Sequence, residues 1–179
     1  MSKSGLFAHF GSKEDLQIQT IEAAEMMFGE SIIHPACEAG LGLTRLYWLL
    51  EGYIRYLEQS VFSGGCFFAS AAAEFDDRPG RVRDRIAVSM HKWNDKIEGA
   101  VAEGIAAGEI DPAVDREQLA FELEAIGHHA NFTRRLMSDE RSFEKARAAF
   151  YARLLQASTV GGREVLGKLR AGAPASSGA

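Results

Sequence analysis

The sequence predicts an all-α fold built as a helical bundle, and three observations carry that prediction. Apolar residues recur at spacings of three and four along long segments, which is the period of one helix face. Only four prolines occur in 179 residues, and the chain's breaks fall between these segments rather than inside them. No stretch alternates apolar and polar residues over the length of a strand.

Composition narrows the class further. An apolar fraction of 46% and a charged fraction of 25% are those of an ordinary globular domain. No apolar run approaches the ~20 residues of a membrane span, so no membrane partner is expected. The first residues lack the basic flank, apolar core and cleavage site of a secretory signal, and two cysteines make no disulfide framework. A reducing cytoplasm is therefore the expected location. A net charge of −5 means that any contact with nucleic acid must come from a local patch.

Taken in order, the first long segment opens at Ser12, whose hydroxyl is placed to cap a helix with Asp15 in the first turn. It runs through Leu16, Ile21, Ala24 and Met27 and is expected to fade near Gly29, or at His34-Pro35. A second helix begins near Leu43 and lines up Leu46, Leu50, Tyr53 and Leu57. The stretch CFFASAAAEFDDRPG reads as a small-residue helix that should be buried. After Asp77 and Pro79, a long helix carries Val82, Ile86, Met90, Trp93, Ile97, Val101 and Ile105 in step until Gly108. Asp115 with Gln118 signals a cap for a helix through Leu119, Leu123, Ile126, Ala130 and Leu136. Ser142 opens another through Phe143, Ala146, Phe150 and Leu154, and from Gly161 the Gly, Ala and Ser content predicts a frayed tail.

The opening residues, SKSGLFAHFGSKEDL, combine a short helix, a turn at Gly11 and a capped following helix, the arrangement of a helix-turn-helix neighbourhood. Leu6 and Phe10 form an inward face, which leaves Lys3, Ser4, Phe7 and His9 on other faces. Lys13 sits at a helix N-terminus, where backbone N–H groups already favour a phosphate.

This run resembles the recognition-helix segment of the tetracycline-repressor (TetR) family of transcriptional regulators. There a Val-Ser-x-x-x-Leu-Tyr-x-His-Phe pattern precedes Lys-x-x-Leu; here it stands as Ser2 to Phe10, then Lys13 and Leu16. The stretch GGCFFASAAAEFDDRPGRVRDRI and the helices after it resemble the effector-binding and dimerisation body of one subgroup, so the likeness spans about residues 2 to 158. The resemblance implies that Lys3, Ser4 and Gly5 face bases or the sugar-phosphate backbone, and that Phe7, His9 and Lys13 touch phosphates. Phe7 replaces the usual tyrosine, so a hydroxyl contact is lost.

The sequence as given opens after the two helices that precede this stretch in the family. Leu6 and Phe10 then lack packing partners, and a short recognition helix held at no set angle predicts weak operator binding by the chain as written. Met1 stands where the family has valine, which favours a natural start further upstream over a true truncation. The expected organisation is a partial DNA-binding domain over 1–28, an effector-binding and dimerisation domain over 29–160, and a flexible tail over 161–179.

Within such a body Trp48, Phe67, Phe68, Trp93, His128 and Phe132 are the expected effector-binding residues, since small-molecule sites are mostly apolar with a few oriented polar groups. Trp93 and His128 lead because each presents a ring donor from a helical stripe. Glu124, His128 and His129 have metal-ligand character but no second cluster to complete a set, so neither metal nor cofactor is expected. Cys66 reads as a buried hydrophobe, and Arg78, Arg81, Arg83 and Arg85 among acids read as a solvated helix start. No nucleophile-base pair shares an evident cleft, so an enzyme is not expected.

The small residues Ala125, Gly127 and Ala130, with Ala146, Ala149 and Ala152, suit close packing within one chain or between two; the resemblance selects a homodimer through these helices. The function it implies is repression of operator DNA, modulated by a small-molecule effector. The alternative is a dimeric small-molecule-binding protein without DNA binding.

Overall fold

A computed structural model describes residues 11–62 and 64–172. Helix α1 spans Lys13–Phe28, and Ser12 caps it by accepting the Asp15 backbone N–H at 3.0 Å. Its Ile21, Ala24 and Phe28 enter the core. The α-helix ends at Gly29, as the sequence suggests, but the chain stays helical beyond it. Gly29–Ile33 form a π-helical turn, with the His34 N–H reaching the Gly29 carbonyl, and α2, His34–Ala39, follows directly with Pro35 in its first turn. A wide turn supplies the reason: Pro35 has no N–H to donate and needs room for its ring, and a π-turn just before it shifts the carbonyl ladder.

Helix α3, Gly42–Glu58, is the hub. The expected stripe of Leu46, Leu50, Tyr53 and Leu57 is buried, and so are Leu43, Leu49, Ile54 and Tyr56, because α3 has neighbours on almost every side. Its first turn is capped from a distance, Gly42 N–H donating to Glu103 and Leu43 N–H to Glu109, so carboxylates sit at the positive end of the helix. Gly42 holds a φ of +57°, and a Cβ there would lie 2.7 Å from the Glu109 carboxylate.

Helix α4, Phe67–Phe75, corrects one expectation: Phe68 alone in it is buried, and Ala73 is exposed. A short helix packed mainly on one neighbour, α5, buries one side only. Helix α5, Arg81–Ala106, follows the sequence reading closely, with Val82, Ile86, Trp93, Ile97 and Val101 inward and Gly108 ending it at φ +71°. Helix α6, Arg116–Leu136, is capped by Asp115, which accepts from Glu117 and Gln118 N–H. Helix α7 spans Ser142–Ala157 and buries Phe143, Ala146, Phe150 and Leu154.

Residues 161–172, assigned by composition to the frayed tail of 161–179, belong to helix α8, Val160–Gly172, with Leu166 fully buried. Its start is pinned to the α5–α6 connection: Thr159 N–H donates to the Glu109 carbonyl, Asp111 N–H to the Ala157 carbonyl, and Ile110 pairs with Ser158 as an isolated bridge. No other strand pairing forms among the described residues.

Part of the small-residue face serves packing within the chain. A Cβ on Gly127 would lie 2.8 Å from the Tyr53 ring, and Ala130 and Ala146 are buried in the same core. Part of what α6 leaves outside is apolar and bulky: Phe121 is 66% exposed, Phe132 50% and Leu136 71%. With Ala125 and His129 between them, these residues form one outward stripe.

Candidate functional site

One cavity of about 480 Å³ opens between α1, α3, α4, α5 and α6. Its inner wall is aromatic. Phe28 is the centre of the cluster, edge-on to Trp93 at 5.1 Å and to Phe68 at 5.8 Å, with Tyr53 at 6.3 Å from Phe28 and 5.9 Å from Trp93. Such pairs prefer edge-to-face or tilted packing, which fixes each ring against the next and keeps the chamber from collapsing. Cys66, Ile33, Met90 and His128 complete the inner lining.

The outer part is charged. Glu25 from α1 faces Ser89, Lys92, Asp95 and Lys96 from α5, and the last three of these are exposed. Arg85 grips Glu25 with both guanidinium arms, Nη1 at 2.8 Å from Oε1, and Ser89 Oγ donates to the same oxygen at 2.8 Å. The Arg85 hydrogen bond, opposed by partial burial and helped by Ser89 and Lys92, holds the Glu25 carboxyl down at about 2. Arg85 thus ties α1 to α5 beside the cavity, where the sequence suggested only a solvated helix start.

Inside, burial acts on every titratable group. It pushes the Tyr53 hydroxyl well above its ordinary value, raises the Cys66 thiol and lowers His128, so the imidazole is neutral. Glu124, one turn before His128, is raised to about 7 by burial and then by the neighbouring Glu98 charge. No group of three or more possible metal ligands assembles among the described residues.

Of the residues expected to bind an effector, Phe68, Trp93 and His128 line this cavity and the other three do not. Trp48 lies on the far side of α3, edge-on to Tyr47 with Arg55 over its ring at 5.2 Å. Phe67 packs sideways between Phe62 and Phe68, and Phe132 stands on the outward stripe of α6 beside His129. A half turn of helix phase separates inward from outward aromatics, and the sequence does not report which neighbour takes which face. Missed from the list were Glu25, Phe28, Tyr53 and Ser89. The spacing of Ile21, Ala24 and Phe28 was the available signal for α1's share. Of the expected DNA contacts, Lys3, Ser4, Gly5, Phe7 and His9 lie outside the described residues; Lys13 is exposed in the first turn of α1.

Residues 42–150 match the family model described as tetracyclin repressor-like, C-terminal domain. The chain belongs to the tetracycline-repressor family. Its fold is similar to that of a TetR transcriptional regulator from Chloroflexus aurantiacus J-10-FL, with 26% identity over 85% of this chain and 77% of that one and a TM-score of 0.78. It also resembles a TetR-family regulator from Agrobacterium tumefaciens, at 20% identity over 89% and 82% of the two chains and a TM-score of 0.72. No curated protein matches the sequence. The cavity of this TetR-family chain lies partly within the matched segment and partly on α1, which precedes it. Membership supports a role in transcription regulation. No helix among the described residues is long and apolar enough to cross a membrane.

Proposed function

We propose that this protein is a homodimeric transcriptional repressor whose hold on operator DNA is weakened by a small molecule bound in the aromatic cavity. The observation that carries the reading is the cavity's shared wall. Glu25 and Phe28 belong to α1, the helix that begins at Lys13 directly after the stretch resembling a recognition helix, while Ser89 and Trp93 belong to α5. A ligand that alters the α1–α5 contact therefore acts on the element nearest the DNA-reading residues. Operator half-sites about one turn apart, ~34–36 Å, fix one separation of two recognition helices, and an effector that favours another weakens DNA binding reciprocally.

The outward stripe of Phe121, Phe132 and Leu136 supports the dimer, since an exposed apolar face of this kind on a helix is suited to pairing with a second copy. Clamps at His9 and Lys13 acting on phosphates make the affinity fall with salt.

Gel-shift titrations on the DNA beside its own gene test the proposal, using the chain as given and a version extended upstream. Binding by the extended version that weakens on addition of a cavity ligand found by thermal shift is the expected result. Absence of DNA binding by both versions supports the binding-only alternative instead. Sedimentation equilibrium of Phe132→Glu tests the dimer: a shift toward monomer is expected, and an unchanged mass would place the interface elsewhere.

A further inference from the structure

We infer that the cavity takes an organic anion, with an apolar body in the aromatic chamber and one carboxylate at the mouth on the ammonium of Lys96. This rests on the effector reading of the cavity and adds the chemical class of its ligand. Ser89, Trp93 and Lys96 stand at i, i+4 and i+7 of α5, so a hydroxyl, a buried ring and an ammonium follow one another along one face. All three line the cavity. The two polar groups differ in what they already hold. Ser89 is engaged, donating to Glu25 at 2.8 Å and accepting from Arg85 at 2.9 Å. Lys96 is exposed at the mouth and meets no carboxylate among the described residues.

The acids at the mouth are poorly placed for a cation. Glu25 is taken by both arms of Arg85, and Lys92 Nζ lies 3.6 Å from it. Asp95 lines the mouth too, but it stands two residues from Trp93, about 200° round the helix, on the side turned from the rings. Lys96 is three residues from Trp93 and so shares its side. Deeper in, the wall of Phe28, Tyr53, Phe68 and Trp93 carries no charge, and burial lowers His128, so the imidazole there is neutral. A charge drawn inward would lose its water with nothing of opposite sign to meet it. The ligand's charge therefore stays at the mouth while its apolar body fills the chamber.

Fluorescence titration at pH 7 with 4-phenylbutyrate, 4-phenylbutanol and 4-phenylbutylamine tests this, since the three share one apolar body. In a Trp48→Phe background Trp93 is the sole tryptophan, so its emission assigns binding to the cavity without altering the wall. The expected result is phenylbutyrate binding about three- to tenfold more tightly than phenylbutanol, for one charge-assisted hydrogen bond partly screened by water, and phenylbutylamine more weakly than either. Raising the salt concentration narrows the gap between acid and alcohol. Lys96→Met keeps the apolar stem and removes the charge, so phenylbutyrate falls to the level of phenylbutanol or below, while phenylbutanol binds as before and the melting temperature holds. A preference for phenylbutyrate unchanged by Lys96→Met, or phenylbutanol or phenylbutylamine binding as tightly as phenylbutyrate, overturns the inference and leaves the effector cavity standing. If none of the three changes Trp93 emission, the effector reading fails and the inference with it.

Discussion

Gly162→Ala probes the contact that turns an apparent tail into a structural helix. Gly162 is helical, so alanine by itself favours the local conformation by about 0.5–1 kcal/mol. The added Cβ, however, would lie 1.9 Å from the Glu109 carbonyl oxygen and 3.1 Å from Ser158 Cβ. That carbonyl cannot swing aside, because it accepts the Thr159 N–H at 3.0 Å and neighbours the bridge between Ile110 and Ser158. The clash is relieved only by lifting the start of α8, which exposes Leu166, now 0% exposed. Burying a leucine side chain contributes ~1.5–3 kcal/mol, so after the helix gain the net loss is about 0.5–2.5 kcal/mol. For a chain of this size that is a fall of roughly 1–10 °C in melting temperature, followed by circular dichroism at fixed protein concentration. Leu166→Ala alone should cost about 2–3 kcal/mol at a site able to collapse. The double variant should lose much less than the sum of the two, since both act by freeing α8. A neutral or stabilising Gly162→Ala, or strict additivity with Leu166→Ala, would refute the packing described for α8.

Three further outcomes follow from the charged groups. Glu124 is raised from 4.5 to about 7 in the folded chain, so its contribution is intact below 4.5 and is lost as pH rises through 7; Glu124→Gln should melt higher than wild type at pH 8 and show no advantage at pH 4.5. Glu25 has the opposite sign, lowered from 4.5 to about 2, so its contribution is present above 4.5 and is lost as pH falls toward 2; acid melting curves of Glu25→Gln should be flatter than wild type across that window. Arg147 bridges Glu51 and Glu58 on α3 from α7, and Arg147→Ala should cost about 1–2 kcal/mol in urea unfolding, because Glu51, mostly buried, then keeps Arg55 alone as a cationic partner among the described residues.

Most of the fold was legible where one face of a helix decides everything. The stripe from Val82 to Ile105 needs only its own period to be read, and the caps at Ser12 and Asp115 are local hydrogen bonds between residues two or three apart. The site was legible in part. Trp93, Phe68 and His128 announced themselves by type, whereas Phe28 and Glu25 matter only because α1 lies across α5, some sixty residues away in sequence. Trp48 and Phe132 have the same chemistry as Trp93 and Phe68 but point from the opposite faces of their helices.

The sequence by itself determined helix class, helix order, the start of α1 and the family resemblance that residues 42–150 bear out, because each rests on short-range periodicity or on motif spacing. Tertiary structure alone decided that Pro35 is absorbed by a π-turn, that α8 docks through Gly162 and Leu166, and that four rings from α1, α3, α4 and α5 wall one chamber. The physical reason is the same in each case. Clearance between backbones, and which of two apolar faces meets a neighbour, are properties of pairs of helices brought together by folding, and no single helix carries them in its own pattern.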